Sequence, residues 1–246
     1  MSLPVHLVPS LAGVAAGDQV SVEGEEAHHA VAVRRLTTGE RVVLTDGRGA
    51  AATGAVSATG KRVFTVVVEE VVHREPPVPA VTVVQALPKG ERGQLAVEVL
   101  TEVGVARIVP WAAARSVAAW KGERAEKSLA KWRATAREAA KQARRAWFPE
   151  VTPLASSADV AELIAKADVA VVLHEEGSAR LGEVAVPDAG ELLVVVGPEG
   201  GLGAEEITTF EAAGAVTVRL GSEVLRTSTA GLAAVSALLA RTPRWA

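Results

Sequence analysis

The sequence predicts an α/β protein in two parts: a small β-rich domain, then a larger domain whose parallel sheet is covered by helices on both faces. Three observations predict it. Apolar residues make up 49% of the 246 positions and mean hydropathy is +0.24, enough to fill cores for this length. Up to about residue 72, short β-type runs are broken by glycine-bearing turns. Beyond residue 80, continuous apolar runs alternate with helical stretches, the pattern of successive βα units. Between them lies Arg74-Glu75-Pro76-Pro77-Val78-Pro79, whose prolines continue neither element. The expected domains are therefore 1–73 and 81–246, joined by a linker at 74–80.

In the first domain, strands are expected at 19–22, 41–45 and 62–68, with turns at Gly39, Asp46-Gly47-Arg48-Gly49 and Thr59-Gly60. A helix-like stretch at 25–36 interrupts them, and the whole reads as a small barrel or sandwich. In the second domain the strands are expected at 81–87, 106–111, 167–173, 192–196 and 216–220. Its helices are expected at 92–103, 123–145, 157–166, 204–213 and 227–239, with Ser, Thr or Gly near several starts. No internal repeat is visible.

Composition excludes several classes. Zero Cys rules out disulfides, thiolate metal sites and a Cys nucleophile. Five Trp, three Phe and no Tyr argue against a long stacking platform for single-stranded nucleic acid. The longest apolar runs, such as 192–196, fall far short of the roughly 20 residues that cross a bilayer. The first ten residues lack the basic and continuous apolar regions of a secretory signal, so a cytoplasmic location and no membrane partner are expected. Net charge is only −3, yet residues 115–147 carry ten Lys/Arg against three Asp/Glu, whereas residues 148–246 carry six against fourteen. That basic block is either a solvated helix face or a polyanion-binding surface.

Ligands of open α/β sheets bind beyond the carboxyl ends of the strands. Three such loops stand out: Leu173-His174-Glu175-Glu176-Gly177, Gly197-Pro198-Glu199-Gly200-Gly201-Leu202-Gly203, and the run from Leu220-Gly221 through Leu225-Arg226-Thr227 to Thr229-Ala230. The glycines of the second let a backbone approach a ligand closely. Its spacing, however, is neither that of a dinucleotide fingerprint nor that of a P-loop, and it has no Lys for a phosphate. A tight turn and nothing more is the competing reading. Arg226 opens an otherwise small and apolar helix, which suits either catalysis or an ion pair with Glu199 or Glu223. His174 could be a satisfied core histidine, and His28-His29 have no companions at metal-ligand spacing, so no metal is expected.

Six collinear motifs carry a family resemblance over nearly the whole chain. The most specific are Val196-Gly197-Pro198-Glu199-Gly200-Gly201 and Leu225-Arg226-Thr227-x-Thr229-Ala230. With them stand Gln85-Ala86-Leu87-Pro88-Lys89-Gly90, Thr101-Glu102-x-Gly104-Val105, Ile108-Val109-Pro110 with Arg115-Ser116, and Glu138-Ala139-Ala140-x-Gln142 with Arg145. In the first domain, Glu26-Ala27-His28-His29, Arg34-Arg35-Leu36 and Asp46-Gly47-Arg48-Gly49 also match. The chain resembles the bacterial 16S ribosomal RNA (uracil(1498)-N3)-methyltransferases of the SPOUT superfamily. It departs from their pattern at Leu3-Pro4-Val5-His6, where Arg-x-Phe is common, at Ser228, where a carboxylate is usual, and at Glu223, where a basic residue is frequent.

The resemblance implies a PUA-like RNA-binding barrel followed by a methyltransferase domain threaded into a trefoil knot, a feature that periodicity alone does not suggest. It implies S-adenosylmethionine as cofactor, held by Leu173, His174, Glu175, Val196, Gly197, Pro198, Glu199, Gly200, Gly201, Leu220, Gly221, Leu225, Thr227, Thr229 and Ala230. It implies 16S rRNA as partner, taken within the small subunit, and a homodimer. Arg34, Arg35, Lys89, Arg115, Lys131, Arg137, Lys141 and Arg145 are the expected RNA contacts. Arg226 is expected to stabilise the uracil anion, and Glu199 or a water to take the N3 proton. Two other readings stand beside this one: a non-catalytic RNA-binding module with a vestigial cleft, and a nucleotide-dependent enzyme using the glycine-rich loop.

Overall fold

The computed structural model describes residues 3–245; residues 1, 2 and 246, included in the expected domain limits, lie outside the described residues. Two compact units divide the chain, Met1–Pro76 with Lys141–Phe148, and Pro77–Ala140 with Pro149–Ala246.

The first unit contains β1 (Val5–Leu7), β2 (Gln19–Glu23), α1 (Gly24–His28), a π-helical turn (His29–Val33), β3 (Arg41–Thr45), β4 (Ala50–Thr59) and β5 (Val63–His73). One sheet runs in the order β1-β3-β4-β5-β2, antiparallel except where β1 lies parallel to β3. Its inner face packs Val42, Leu44, Ala52, Val56, Phe64 and Val66 around Leu11, Ala27 and Ala30. Strand β4 was not expected, because Ala-Ala-Ala-Thr-Gly-Ala carries little β preference. It forms because small side chains suit a tight interior: at Gly54 an added Cβ would lie 2.2 Å from the Val67 carbonyl oxygen, and the register shifts there. The expected helix 25–36 breaks into the short α1 and the π-helical turn, after which Arg35 takes a left-handed φ of 57°.

The second unit contains β6 (Ala80–Ala86), α2 (Arg92–Glu102), β7 (Arg107–Trp111), α3 (Glu123–Gln142), β8 (Glu150–Val151) and α4 (Ser157–Ile164). There follow β9 (Val169–Leu173), β10 (Ala179–Arg180), a 3-10 turn (Leu181–Glu183), β11 (Glu191–Val196), α5 (Ala204–Ala212), β12 (Val216–Arg219) and α6 (Thr227–Leu239). Its seven strands are all parallel, in the order β10-β12-β9-β11-β6-β7-β8. Side chains of β11 alternate between two cores. Leu192, Val194 and Val196 face Leu100, Trp132, Ala234 and Leu238 of the helices on one side, while Leu193 and Val195 face Val160, Ile164 and Phe210 on the other. Burial on both faces explains why these strands read as unbroken apolar runs.

Helix α3 ends at Gln142 rather than 145, since Arg144 has a φ of 54° that a helix does not allow. The segment Lys141–Phe148 belongs to the first unit. There Lys141, expected on an RNA-facing surface, instead sets its ammonium 2.9 Å from Glu26, with its side chain only 12% exposed. His6 Nδ1 lies 3.2 Å from the same carboxylate. Burial favours the neutral acid at Glu26, but the hydrogen bonds and charges of His6 and Lys141 outweigh it and hold its pKa at about 2. The ammonium of Lys141, expected to face RNA, is thus paired with a partly buried carboxylate within the first unit.

Candidate functional site

Strands β12, β9 and β11 are neighbours, and Leu173 at the end of β9 pairs with both Val196 of β11 and Val218 of β12. Three strands thus end at one level, and the loops leaving them surround one cavity of about 770 Å³. The sheet order brings together segments separated by up to about fifty residues of sequence.

Each loop is shaped by its own chemistry. After β9, His174 donates its backbone N–H to the Val218 carbonyl at 2.9 Å, and its Nδ1 accepts the Glu176 N–H at 3.1 Å, so the ring organises the turn. Gly177 sits so near β12 that an added Cβ would lie 2.5 Å from the Val218 carbonyl carbon. After β11, Gly201 adopts a φ of 73° and donates to the Pro198 carbonyl at 3.0 Å, closing the glycine-rich turn. Glu199 Oε1 accepts the Lys89 backbone N–H at 3.2 Å, bracing this loop against the one after β6. After β12, Arg226 occupies the N-cap position of α6, with φ −70° and ψ 147°, and its carbonyl accepts the N–H groups of Thr229 and Ala230, each at 2.9 Å. Among the described residues its exposed guanidinium forms no ion pair with Glu199 or Glu223, in contrast to one of the two expectations for it.

A fourth segment completes the wall. At Gly200 a Cβ would meet the Arg115 carbonyl oxygen at 2.9 Å, so the loop after β7 touches the glycine-rich turn. Glu206, 6% exposed on the first turn of α5, fixes that contact by accepting the Ala114 N–H at 2.9 Å, the Gly203 N–H at 3.0 Å and the Ser157 hydroxyl at 3.1 Å. Below it, buried Gln85 donates to the Thr227 carbonyl at 3.2 Å, linking the end of β6 to the start of α6.

The structure brings all but one of the residues expected at the cofactor onto this cavity. Thr229 is the exception; its hydroxyl caps the Arg226 carbonyl at 3.3 Å. Arg115 lines the same cavity, while Lys89 contributes its backbone to Glu199 rather than to the lining. Sequence reasoning missed Arg92, at the start of α2, and Leu202 and Ile207, which form an apolar wall. It also missed Glu206, although glutamate at the third helical position after a glycine is a legible capping signal. Of the other expected RNA contacts, Arg34, Arg35 and Lys131 are exposed, Arg137 is exposed beside Glu138 at 3.6 Å, and Arg145 is half-buried. Ser228 is buried on α6 and does not line the cavity.

Comparison with known proteins accords with this geometry. Residues 74–239 match the RNA methyltransferase domain and residues 22–69 the RNA methyltransferase PUA domain. The chain is 46% identical over 231 residues to ribosomal RNA small subunit methyltransferase E of Mycobacterium bovis, covering 91% of this chain and 87% of that protein. It is 34% identical to the Bacillus subtilis protein of the same name, covering 89% and 88%. Among solved structures, the Neisseria gonorrhoeae ribosomal RNA small subunit methyltransferase E, bound to S-adenosyl methionine, superposes with a TM-score of 0.86 at 27% identity over 97% of both chains. A Legionella pneumophila methyltransferase with bound cofactor SAM gives 0.90 at 26% identity over 98% and 99%. A shared domain model over two-thirds of the length and close relatives over nine-tenths of it place the chain in the ribosomal RNA small subunit methyltransferase E family.

Proposed function

We propose that this protein transfers the methyl group of S-adenosylmethionine to N3 of a single uridine, U1498, in 16S ribosomal RNA. The observation that carries the reading is the unpaired Arg226 guanidinium at the lip of a cavity built from the ends of three adjacent parallel strands.

The residues present fit the cofactor. About 770 Å³ suits a small-molecule site. At Gly221 an added Cβ would find only Glu223 Oε2 at 3.6 Å, and at Gly201 nothing within 4 Å, so the glycines leave space that a side chain would take. Leu173, Val196, Leu202, Ile207 and Leu220 supply apolar surface for an adenine, and the loop backbones supply its polar contacts. When bound, the cofactor supplies an electrophilic methyl group on a cationic sulfur, so the protein has to supply position and charge.

Uracil N3 carries a proton at neutral pH and must lose it to become a nucleophile. Arg226 presents two parallel donors to the uracil edge and stabilises the negative charge that spreads over N3 and its flanking carbonyl oxygens. Glu199, whose Oε1 is held by Lys89, keeps Oε2 to receive the proton directly or through water. Arg92 and Arg115 lie on the same cavity wall and accept the phosphates of the entering strand. The burial of Ser228 away from the cavity removes the main support for a vestigial cleft.

The substrate is taken in the assembled small subunit, in the cytoplasm, by a homodimer. Thr229, Leu232, Ala233, Ser236 and Ala237 remain partly exposed along one stripe of α6, and Val224 (77%) and Leu225 (40%) are exposed just before it. A second copy covers that stripe. No helix among the described residues is long and apolar enough to cross a membrane.

Calorimetry with S-adenosylmethionine, NAD and ATP, followed by methyl transfer to small subunits lacking the modification, tests the reading. Primer extension should stop at U1498, because an N3-methyl group blocks base pairing. Binding of NAD or ATP in place of S-adenosylmethionine, or a cofactor-binding protein that leaves the uridine unmodified, would overturn it.

A further inference from the structure

The Asp46-Gly47-Arg48-Gly49 turn takes no part in the methyltransferase cavity, yet it is the point on which the first unit is assembled. The end of the Lys141–Phe148 segment docks against it through one isolated antiparallel bridge. Gly49 donates to the Ala146 carbonyl at 2.9 Å, Phe148 donates to the Gly47 carbonyl at 2.9 Å, and Arg48 stands opposite Trp147 in an antiparallel bridge. The end of β5 joins from the other side, with Arg74 donating to the Gly49 carbonyl at 2.9 Å and accepting the Trp147 indole N–H at 2.8 Å. Gly49 is the pivot: its φ is 103°, and a Cβ there would lie 2.6 Å from the Arg74 carbonyl oxygen and 2.8 Å from the Trp147 ring.

Three chain segments therefore deliver arginines to one place. Arg48, Arg74 and Arg144 are exposed, and none forms an ion pair among the described residues. Arg48 is next to Gly49, the Arg74 backbone is bonded to it, and Arg144 is two residues from the Ala146 that pairs with it. At 3.8 Å per residue and about 5 Å between paired strands, their Cα atoms fall within roughly 13 Å of Gly49. The nearby carboxylates, Asp46 and Glu75, offset only two of the three positive charges, and Asp46 is turned to its own loop, its Oδ1 accepting the N–H groups of Arg48 and Ala50 at 2.7 and 3.1 Å. The half-buried Lys141–Glu26 pair anchors the docked segment, so one cation is neutralised within the first unit while Arg144 is exposed.

We infer that Arg48, Arg74 and Arg144 form a phosphate-binding surface on the first unit, separate from the methyltransferase cavity, that grips the backbone of the RNA substrate. Every cation of the surface is an arginine, whose planar fork matches phosphate oxygens two at a time. The inference rests on the reading of the chain as an RNA-modifying protein and adds where the RNA is held.

The test measures binding of a 16S rRNA transcript containing the target uridine by fluorescence anisotropy from 50 to 300 mM salt. Replacing all three with Ala should weaken binding about tenfold to a hundredfold at low salt and reduce the slope of log K against log salt by about two to three, at roughly 0.7–0.9 per lost phosphate contact. Affinity for S-adenosylmethionine should stay unchanged, and hydrogen exchange of the β4 and β5 amides should match the parent, which reports that the first unit is folded. Replacing all three with Lys should preserve most of the slope. Gly49→Ala, which changes no charge but disturbs the docking, should also weaken RNA binding. An Ala variant that binds cofactor normally and keeps both the affinity and the slope of the parent would overturn the surface and leave the methyltransferase reading intact. A parent protein that binds S-adenosylmethionine but no RNA would overturn the RNA reading and this surface with it.

Discussion

Glu206 Oε1 accepts the backbone N–H of Ala114 at 2.9 Å, which couples the first turn of α5 to the loop that carries Arg115. The same side chain also holds Gly203 and Ser157, so one buried carboxylate ties three segments around the glycine-rich turn. A carboxylate can accept from all three donors at once, whereas an amide turns one acceptor into a donor. Glu206→Gln should therefore leave one N–H or hydroxyl facing another donor, at a cost of about 1–3 kcal/mol. The Ala114 amide should exchange faster with solvent deuterium, and cofactor affinity should fall about tenfold. Unaltered exchange at Ala114 in the variant would show that Glu206 does not hold this loop.

Gly221 offers a cleaner probe of the cavity than Gly201. At Gly201 the φ of 73° penalises any side chain, and a β-branched one most, so a Val there tests backbone strain together with cofactor space. Gly221 has no such φ, and only Glu223 Oε2 lies near, at 3.6 Å. Gly221→Val should thus keep the thermal stability of the parent within about 0.5 kcal/mol and raise the Kd for S-adenosylmethionine at least tenfold. Normal affinity in a stable variant would move the cofactor away from the loop after β12.

Much of this site was legible in the sequence because parallel strands announce themselves. Runs such as Leu192–Val196 are buried on both faces, and the loops at their carboxyl ends are where ligands bind. The sequence order does not say which strands are neighbours. Only the pairing of Leu173 with both Val196 and Val218 shows that three distant loops share one cavity. The first unit was harder to read, since β4 is dominated by Ala with Gly54 at its closest approach, which suits close packing rather than β preference. The fate of Lys141 was out of reach as well. A lysine on a basic amphipathic helix reads as solvated, and its partner Glu26 lies 115 residues away. The docking of Trp147 on Gly49 left no local signal beyond a glycine in a turn.

The Glu26 carboxylate should make the stability of the first unit pH-dependent. Its pKa is about 2 in the folded protein against an ordinary value of 4.5. The unfolded chain therefore takes up the proton first, so the stabilisation is complete above about pH 4.5 and is lost as the pH falls toward 2. The difference corresponds to roughly 3 kcal/mol. Glu26→Gln should destabilise β4 and β5 by about that amount at pH 7, with a further loss from leaving the half-buried Lys141 without its countercharge. Hydrogen exchange of the β4 and β5 amides at pH 7 and pH 3.5 provides the check. The gap between parent and variant should narrow at the lower pH, and a gap independent of pH would contradict the assigned ionisation.

Arg226 carries the most specific chemical prediction. It caps α6 through its backbone, which accepts from Thr229 and Ala230, so its side chain is not needed to hold the helix. Its guanidinium is exposed on the cavity and free of Glu199 and Glu223, which leaves it available to the substrate. A fixed cation beside the uracil edge interacts more strongly with the developing N3 anion than with the neutral base, so it lowers the barrier more than it tightens binding. Arg226→Ala should accordingly reduce the single-turnover rate by about 100-fold or more, with the affinity for S-adenosylmethionine changed less than about threefold. Arg226→Lys should recover only part of the rate, because an ammonium cannot present two coplanar donors. Raising the pH should partly rescue the Ala variant, since more of the uracil is then already ionised. If the Ala variant instead loses cofactor binding while its single-turnover rate at saturation is unchanged, Arg226 is a cofactor ligand and the anion is stabilised elsewhere.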